Sequence, residues 1–169
     1  RVLAAMGRGY TRKEYLSRVN ALRKVRPEMT YSSDFIVGFP GETEAEFRET
    51  LQAMEEVWFD SSFSFRFSPR PGTRAAEMGG MADPETAGER LQRLQELQDR
   101  NTRERLAGMV GREVEVLVEG ESARGEGRLC GRTACYKTVN FVPARGAAPF
   151  RTVRVTSAGA HSLTGEERG

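Results

Sequence analysis

Residues 34–43 read Asp-Phe-Ile-Val-Gly-Phe-Pro-Gly-Glu-Thr: an apolar run, a bend, then a threonine placed to cap a helix. No central strand continues through Gly-Phe-Pro-Gly, so the apolar run ends there and a helix begins. A strand that turns directly into a helix is half of a βαβ unit, and the turn at such a strand's C-terminal end is where α/β proteins bind small molecules. The flanking sequence extends the pattern. Thr11 with Glu14, and Thr43 with Glu46, each form the capping-box spacing, predicting helices over 12–25 and from 44 to about 58. Tyr15, Val19 and Leu22 line the first; Phe47, Leu51, Met54 and Trp58 line the second. Met29–Phe39 reads as a strand in which Phe35, Ile36 and Val37 are buried on both faces, and Phe59, Phe63, Phe65 and Phe67 recur at strand spacing. Helix, strand, helix, strand predicts a parallel sheet covered by helices.

Ser68-Pro69-Arg70-Pro71-Gly72-Thr73 cannot continue that sheet, since proline gives the ladder no donor. Gly79, Gly80 and Pro84 mark a boundary. Leu91, Leu94 and Leu97 in a charged background then predict an exposed connecting helix to about Met109, its stripe too short for a coiled coil and used instead to pack against its own barrel. From Arg112 the period changes to two: Val114, Val116 and Val118 alternate with Glu113, Glu115 and Glu119. Further short strands are expected at 125–133, 136–142, 151–157 and 161–166, together a small all-β, OB-like barrel. The expected organisation is α/β over 1–80, a linker helix over 81–109 and the barrel over 110–169.

A net charge of +2 over 169 residues says little about partners. The window 124–154 says more: Arg124, Arg128, Arg132, Lys137, Arg145, Arg151 and Arg154 face Glu126 alone, an excess of six positive charges. Such a local patch marks a nucleic-acid binder. Arg128, Arg132, Lys137, Arg151 and Arg154 are candidates for phosphate and Tyr136 for a base, whereas Phe141 reads as core. Cys130 and Cys135 are too few for a disulfide framework. With neither a signal peptide nor a bilayer-spanning run, a cytoplasmic setting without membrane is expected. His161 is the only histidine, so no structural zinc tetrahedron can be completed and no metal site is expected. The chain begins at Arg1 rather than Met and enters a helix with no preceding strand; a monomeric piece of a longer protein is expected.

Four ordered blocks carry a resemblance: Val2-Leu-Ala-Ala-Met-Gly-Arg-Gly-Tyr-Thr11, Asp34–Thr43, Ser68–Thr73, and Gly131-Arg-Thr-Ala-Cys-Tyr-Lys-Thr-Val-Asn-Phe141. Together they resemble the radical S-adenosylmethionine methylthiotransferases, of the tRNA-modifying MiaB type that adds a methylthio group to C2 of N6-isopentenyladenosine. Arg70 separates the tRNA branch from the ribosomal-protein branch. The resemblance implies the C-terminal part of a partial (βα) barrel, then a TRAM RNA-binding barrel from about Gly111 to Glu167, with tRNA as partner. It implies S-adenosylmethionine as cofactor, with Ile36, Gly38 and Phe39 bordering the adenosyl group; the glycine would leave room for a flat ring. Arg8 either faces the cofactor's carboxylate or is a solvated arginine near a helix start. Asp34 and Glu42 read as orienting backbone rather than as acid or base. The family's Cys-x3-Cys-x2-Cys loop for a 4Fe-4S cluster is absent here, and Cys130 and Cys135 cannot replace it. No catalytic residue is therefore expected in this stretch, which by itself should be inactive. Where the family commonly has Asn, this chain has Tyr136. The rival readings are methylthiotransferases of threonylcarbamoyl-adenosine or of ribosomal protein, and a free-standing RNA-binding protein.

Overall fold

The computed structural model describes residues 1–169 except Arg124, Glu126, Arg145, Ala147 and Gly169. Two compact units divide between Asn101 and Thr102. The first contains α1 (Val2–Ala5), α2 (Arg12–Val25), β1 (Ser32–Val37), α3 (Glu44–Val57), β2 (Ser61–Arg66), α4 (Arg74–Glu77) and most of α5 (Pro84–Ala107). Both predicted capping boxes form. Glu14 N–H donates to the Thr11 hydroxyl while Glu14 accepts from Thr11 N–H at 2.7 Å, and Thr43 with Glu46 repeats the arrangement. The Arg1 guanidinium at 2.6 Å and then Thr43 N–H hold the Glu46 carboxyl down to about 2.

β1 and β2 pair in parallel, Ile36 opposite Phe65 and Asp34 opposite Phe63. Helices cover one face, where Val37, Phe47, Met54, Phe59 and Leu94 form the core. The other face is open: Ile36 is 44%, Phe63 70% and Phe65 54% exposed. This corrects the expectation of a strand buried on both faces. An apolar run of three was read as doubly covered, but the described residues place helices against only one side. Trp58 also departs from its helix stripe, capping α3 in the left-handed conformation.

The leucine stripe of the connecting helix packs, as expected, but the helix is more buried than an exposed connector and forms a wall of the first unit. Leu94 and Leu97 enter its core, and the polar Arg90, Gln98 and Asn101 are buried beside them. A polar residue in a helix reads as surface by pattern alone, which is why the leucine stripe understated the buried face.

The second unit is a closed five-stranded barrel of β3 (Glu113–Glu121), β4 (Leu129–Thr133), β5 (Thr138–Val142), β6 (Phe150–Ala158) and β7 (Leu163–Glu167), in the order β3-β4-β5-β7-β6. Among the described residues of the barrel the β5–β7 pair is parallel and the other pairs are antiparallel. Val116, Val139, Phe141, Val153, Val155 and Leu163 fill the interior, closed by Leu106. Phe141 is core, as read. Among the described residues no helix is long and apolar enough to cross a membrane.

Candidate functional site

The bend after β1 has two glycines at positive φ, Gly38 at 70° and Gly41 at 74°, a conformation that L side chains adopt only with strain. On its Cβ side Gly38 leaves no room for a ring. A Cβ there would lie 3.1 Å from Ala87 Cβ and 3.5 Å from Ala82 Cβ, so the space beside it is filled by α5 and the segment leading into it. Phe39 is buried too, edge-on to Phe67 with ring centroids 5.2 Å apart. Of the residues expected to border the cofactor, Ile36 alone lies on the open sheet face. Arg8 is exposed in the connection between α1 and α2.

What locks the bend was not legible in the chain. Glu42 accepts the Gly38 N–H at 2.7 Å, so it orients backbone as expected; its carboxylate also takes Arg90 Nη1 at 2.9 Å. Arg90 donates again to the Glu42 carbonyl at 3.1 Å and lies over the Phe47 ring. Burial pushes the Glu42 carboxyl up, only partly offset by the Gly38 N–H and by Arg90. The 48 residues separating the pair explain why local spacing could not find it.

In the barrel the predicted cations separate. Arg132 and Tyr136 stand together, the guanidinium 4.7 Å from the ring centroid, and Lys137 follows in the same β4–β5 turn. Thr133 braces this turn, its hydroxyl accepting the Lys137 N–H at 3.0 Å and contacting Cys135 Sγ at 3.2 Å. Arg128 lies in the opposite hairpin, between β3 and β4, where its carbonyl accepts from Ser122 N–H. Four residue steps along the strand separate it from Arg132, roughly 13 Å. Arg154 faces outward with Glu113 and Glu166 as its register neighbours, and Arg168 pairs with Glu113 at 2.8 Å, so that stretch of wall is mixed in charge rather than basic. Arg124 and Arg145 lie outside the described residues.

Arg151 corrects the phosphate expectation outright. It points into the barrel, 6% exposed, and donates to Glu167 at 2.7 Å, to the Ala148 carbonyl at 2.8 Å and to the Gly146 carbonyl. The expectation failed because residues two apart on a strand share a face and adjacent ones do not, so charge counted along the chain mixes inside with outside. Burial works to raise the Glu167 carboxyl, but the Arg151 hydrogen bond, the Ala144 N–H and the Arg151 charge outweigh it and hold it low. A depressed carboxylate stabilises the fold above its unfolded value of about 4.3, and that contribution is lost as pH falls through the folded value. Thermal melts of the barrel should therefore decline from about pH 5 downward, and Glu167→Gln should flatten that dependence.

Residues 108–166 match the family model described as "TRAM domain". Over 167 residues the chain is 47% identical to a tRNA-2-methylthio-N(6)-dimethylallyladenosine synthase of Nitrosomonas europaea, covering 98% of this chain and 38% of that protein. A protein of the same name from Pelobacter propionicus is 51% identical over 169 residues, with the same two coverages. A third, from Geobacter metallireducens, is 51% identical over 166 residues, covering 98% and 37%. The chain thus spans well under half the length of the curated relatives it matches.

Proposed function

This chain belongs with the MiaB-type tRNA-2-methylthio-N(6)-dimethylallyladenosine synthases, whose C-terminal part it matches, and from that premise we propose that it is the tRNA-holding portion of such a methylthiotransferase. The observation that carries this reading is the unbroken match through both units. In the proposal, residues 110–169 bind tRNA in the cytoplasm and residues 1–80 supply the closing elements of a partial radical S-adenosylmethionine barrel, joined through 81–109. Arg132 and Lys137 serve phosphate, and Tyr136 offers a base-sized face. Arg128 is a second, separate phosphate contact. Arg151 holds the barrel together instead.

The cofactors implied by the resemblance fit unequally. Ile36, beside Phe63 and Phe65, offers an apolar surface suited to an adenine ring. Gly38 and Phe39 support it from within the fold, and Arg8 is the cation for a carboxylate. An iron-sulfur cluster does not fit: the two cysteines both lie in the barrel, and no group of three or more His, Cys, Asp or Glu able to hold a metal occurs among the described residues. The radical-generating chemistry of the parent enzyme is therefore assigned to no residue here.

Salt-titrated filter binding of the chain to tRNA tests the proposal. Arg132→Ala and Lys137→Ala should each weaken binding across tRNA sequences and lower the salt slope by about one. Affinity and slope unchanged in both would remove this turn from the RNA surface.

A further inference from the structure

We propose that the outer wall of the barrel carries a stacking strip for unpaired nucleotides, running from Phe150 through Leu117 to the paired side chains of Arg132 and Tyr136. It rests on the RNA-binding reading and specifies which form of RNA the barrel takes. The strip is set by register. Leu117 on β3 is opposite Phe150 on β6 and opposite Arg132 on β4, so the three side chains form one transverse row. Elsewhere the outward positions of β3 and β6 are polar or charged: Glu113, Glu115, Thr152 and Arg154. Phe150 and Leu117 are the exception, with Phe150 56% exposed.

Tyr136 extends the row. It is 76% exposed and held at φ 65°, a conformation unfavourable for a bulky side chain. Strained backbone beneath a displayed aromatic is the kind of local penalty that persists at binding sites. The Arg132 guanidinium lies against this ring, and its Nε donates to Glu119 at 3.3 Å, which fixes its plane. Three neighbouring strands span roughly 10 Å, about the length of three nucleotides at the stacked spacing of roughly 3.4 Å.

Flat apolar faces beside an arginine and Lys137 match the alternating chemistry of a single strand, in which every base has a π-face and every linkage a charge. A duplex hides its bases and would meet only the cations.

The test uses the whole chain and fluorescence anisotropy with a labelled oligouridine and an RNA duplex of equal length. Phe150→Ala and Tyr136→Asn should each weaken oligouridine binding about tenfold with unchanged salt slope, leaving the duplex nearly unaffected. Tyr136→Asn should also melt at a higher temperature, since asparagine tolerates this backbone, which separates lost binding from lost folding. Wild-type affinity in both variants overturns the strip while leaving the Arg132 and Lys137 contacts standing. Equal weakening on the duplex, or release of a dimer by Phe150→Ala at unchanged RNA affinity, overturns it as well. A wild-type chain that binds neither RNA overturns the underlying reading too.

Discussion

Arg90→Ala is expected to destabilise the first unit by about 3–5 kcal/mol, the range for removing one partner of a buried ion pair. The two side chains are 7% and 3% exposed, so solvent cannot replace what is lost. Removal leaves the Glu42 carboxylate to the Gly38 N–H and strips the cation from over Phe47. Glu44, 3.7 Å from Arg90 Nε, also loses a favourable neighbour. Denaturant unfolding followed by the fluorescence of Trp58, the only tryptophan, reads the effect in the unit that holds the pair. The double variant Arg90→Met with Glu42→Leu should recover much of the loss, because no uncompensated charge then stays buried. A single variant within about 0.5 kcal/mol of wild type would show that the pair is dispensable. The consequence reaches the proposed cofactor face, since the same carboxylate fixes the amide of Gly38 directly after β1.

What could be read from the chain was whatever is encoded locally. Thr11 and Glu14, or Thr43 and Glu46, lie three residues apart, and both boxes form because neighbours in sequence are neighbours in a helix turn. The Val/Glu alternation from Glu113 likewise places β3 and its inward face without reference to the rest of the fold. Features needing a distant partner did not show. Arg90 looked like any charged helix residue until Glu42 was placed beside it. Gly38 signalled a bend but not that α5 would fill the space beside it. Ile36 read as core because its residue type says nothing about whether a second layer is present. The basic window failed for a different reason. Its residues are close in sequence, yet strand alternation turns Arg151 inward, hairpin geometry sends Arg128 and Tyr136 to opposite turns, and Arg154 stands among carboxylates. The left-handed backbone at Tyr136 carries no sequence signal either, because tyrosine is not a residue that announces it.

Gly165→Ala should damage the barrel severely. A Cβ at Gly165 would lie 2.5 Å from both the Arg154 carbonyl oxygen and Val153 Cγ1, the first of which is backbone and cannot swing aside. Gly131 is confined in the same way against the Leu117 carbonyl and Val116. The two glycines have matching surroundings. Gly131 is opposite Val118 just before the register shift between Val118 and Gly120, and Gly165 is opposite Val155 just before the shift between Val155 and Ser157. A sheet of five strands closes only by bending sharply, and a bulge beside an inward glycine makes such a corner. Filling it forces the strands apart where the ladder is already interrupted. Overpacking of this kind costs about 3 kcal/mol or more, equivalent to a fall in melting temperature of roughly 12–24 °C for a domain of this size. Hydrogen exchange at the β6 and β7 amides locates the loss, and the proposed tRNA binding should weaken with it. Gly88→Ala is the contrast: nothing lies within 4 Å of its added methyl group in α5, so it should be neutral or stabilise by up to about 1 kcal/mol. If Gly165→Ala melts with the wild type, the corner is not closed by that glycine and the barrel bends elsewhere.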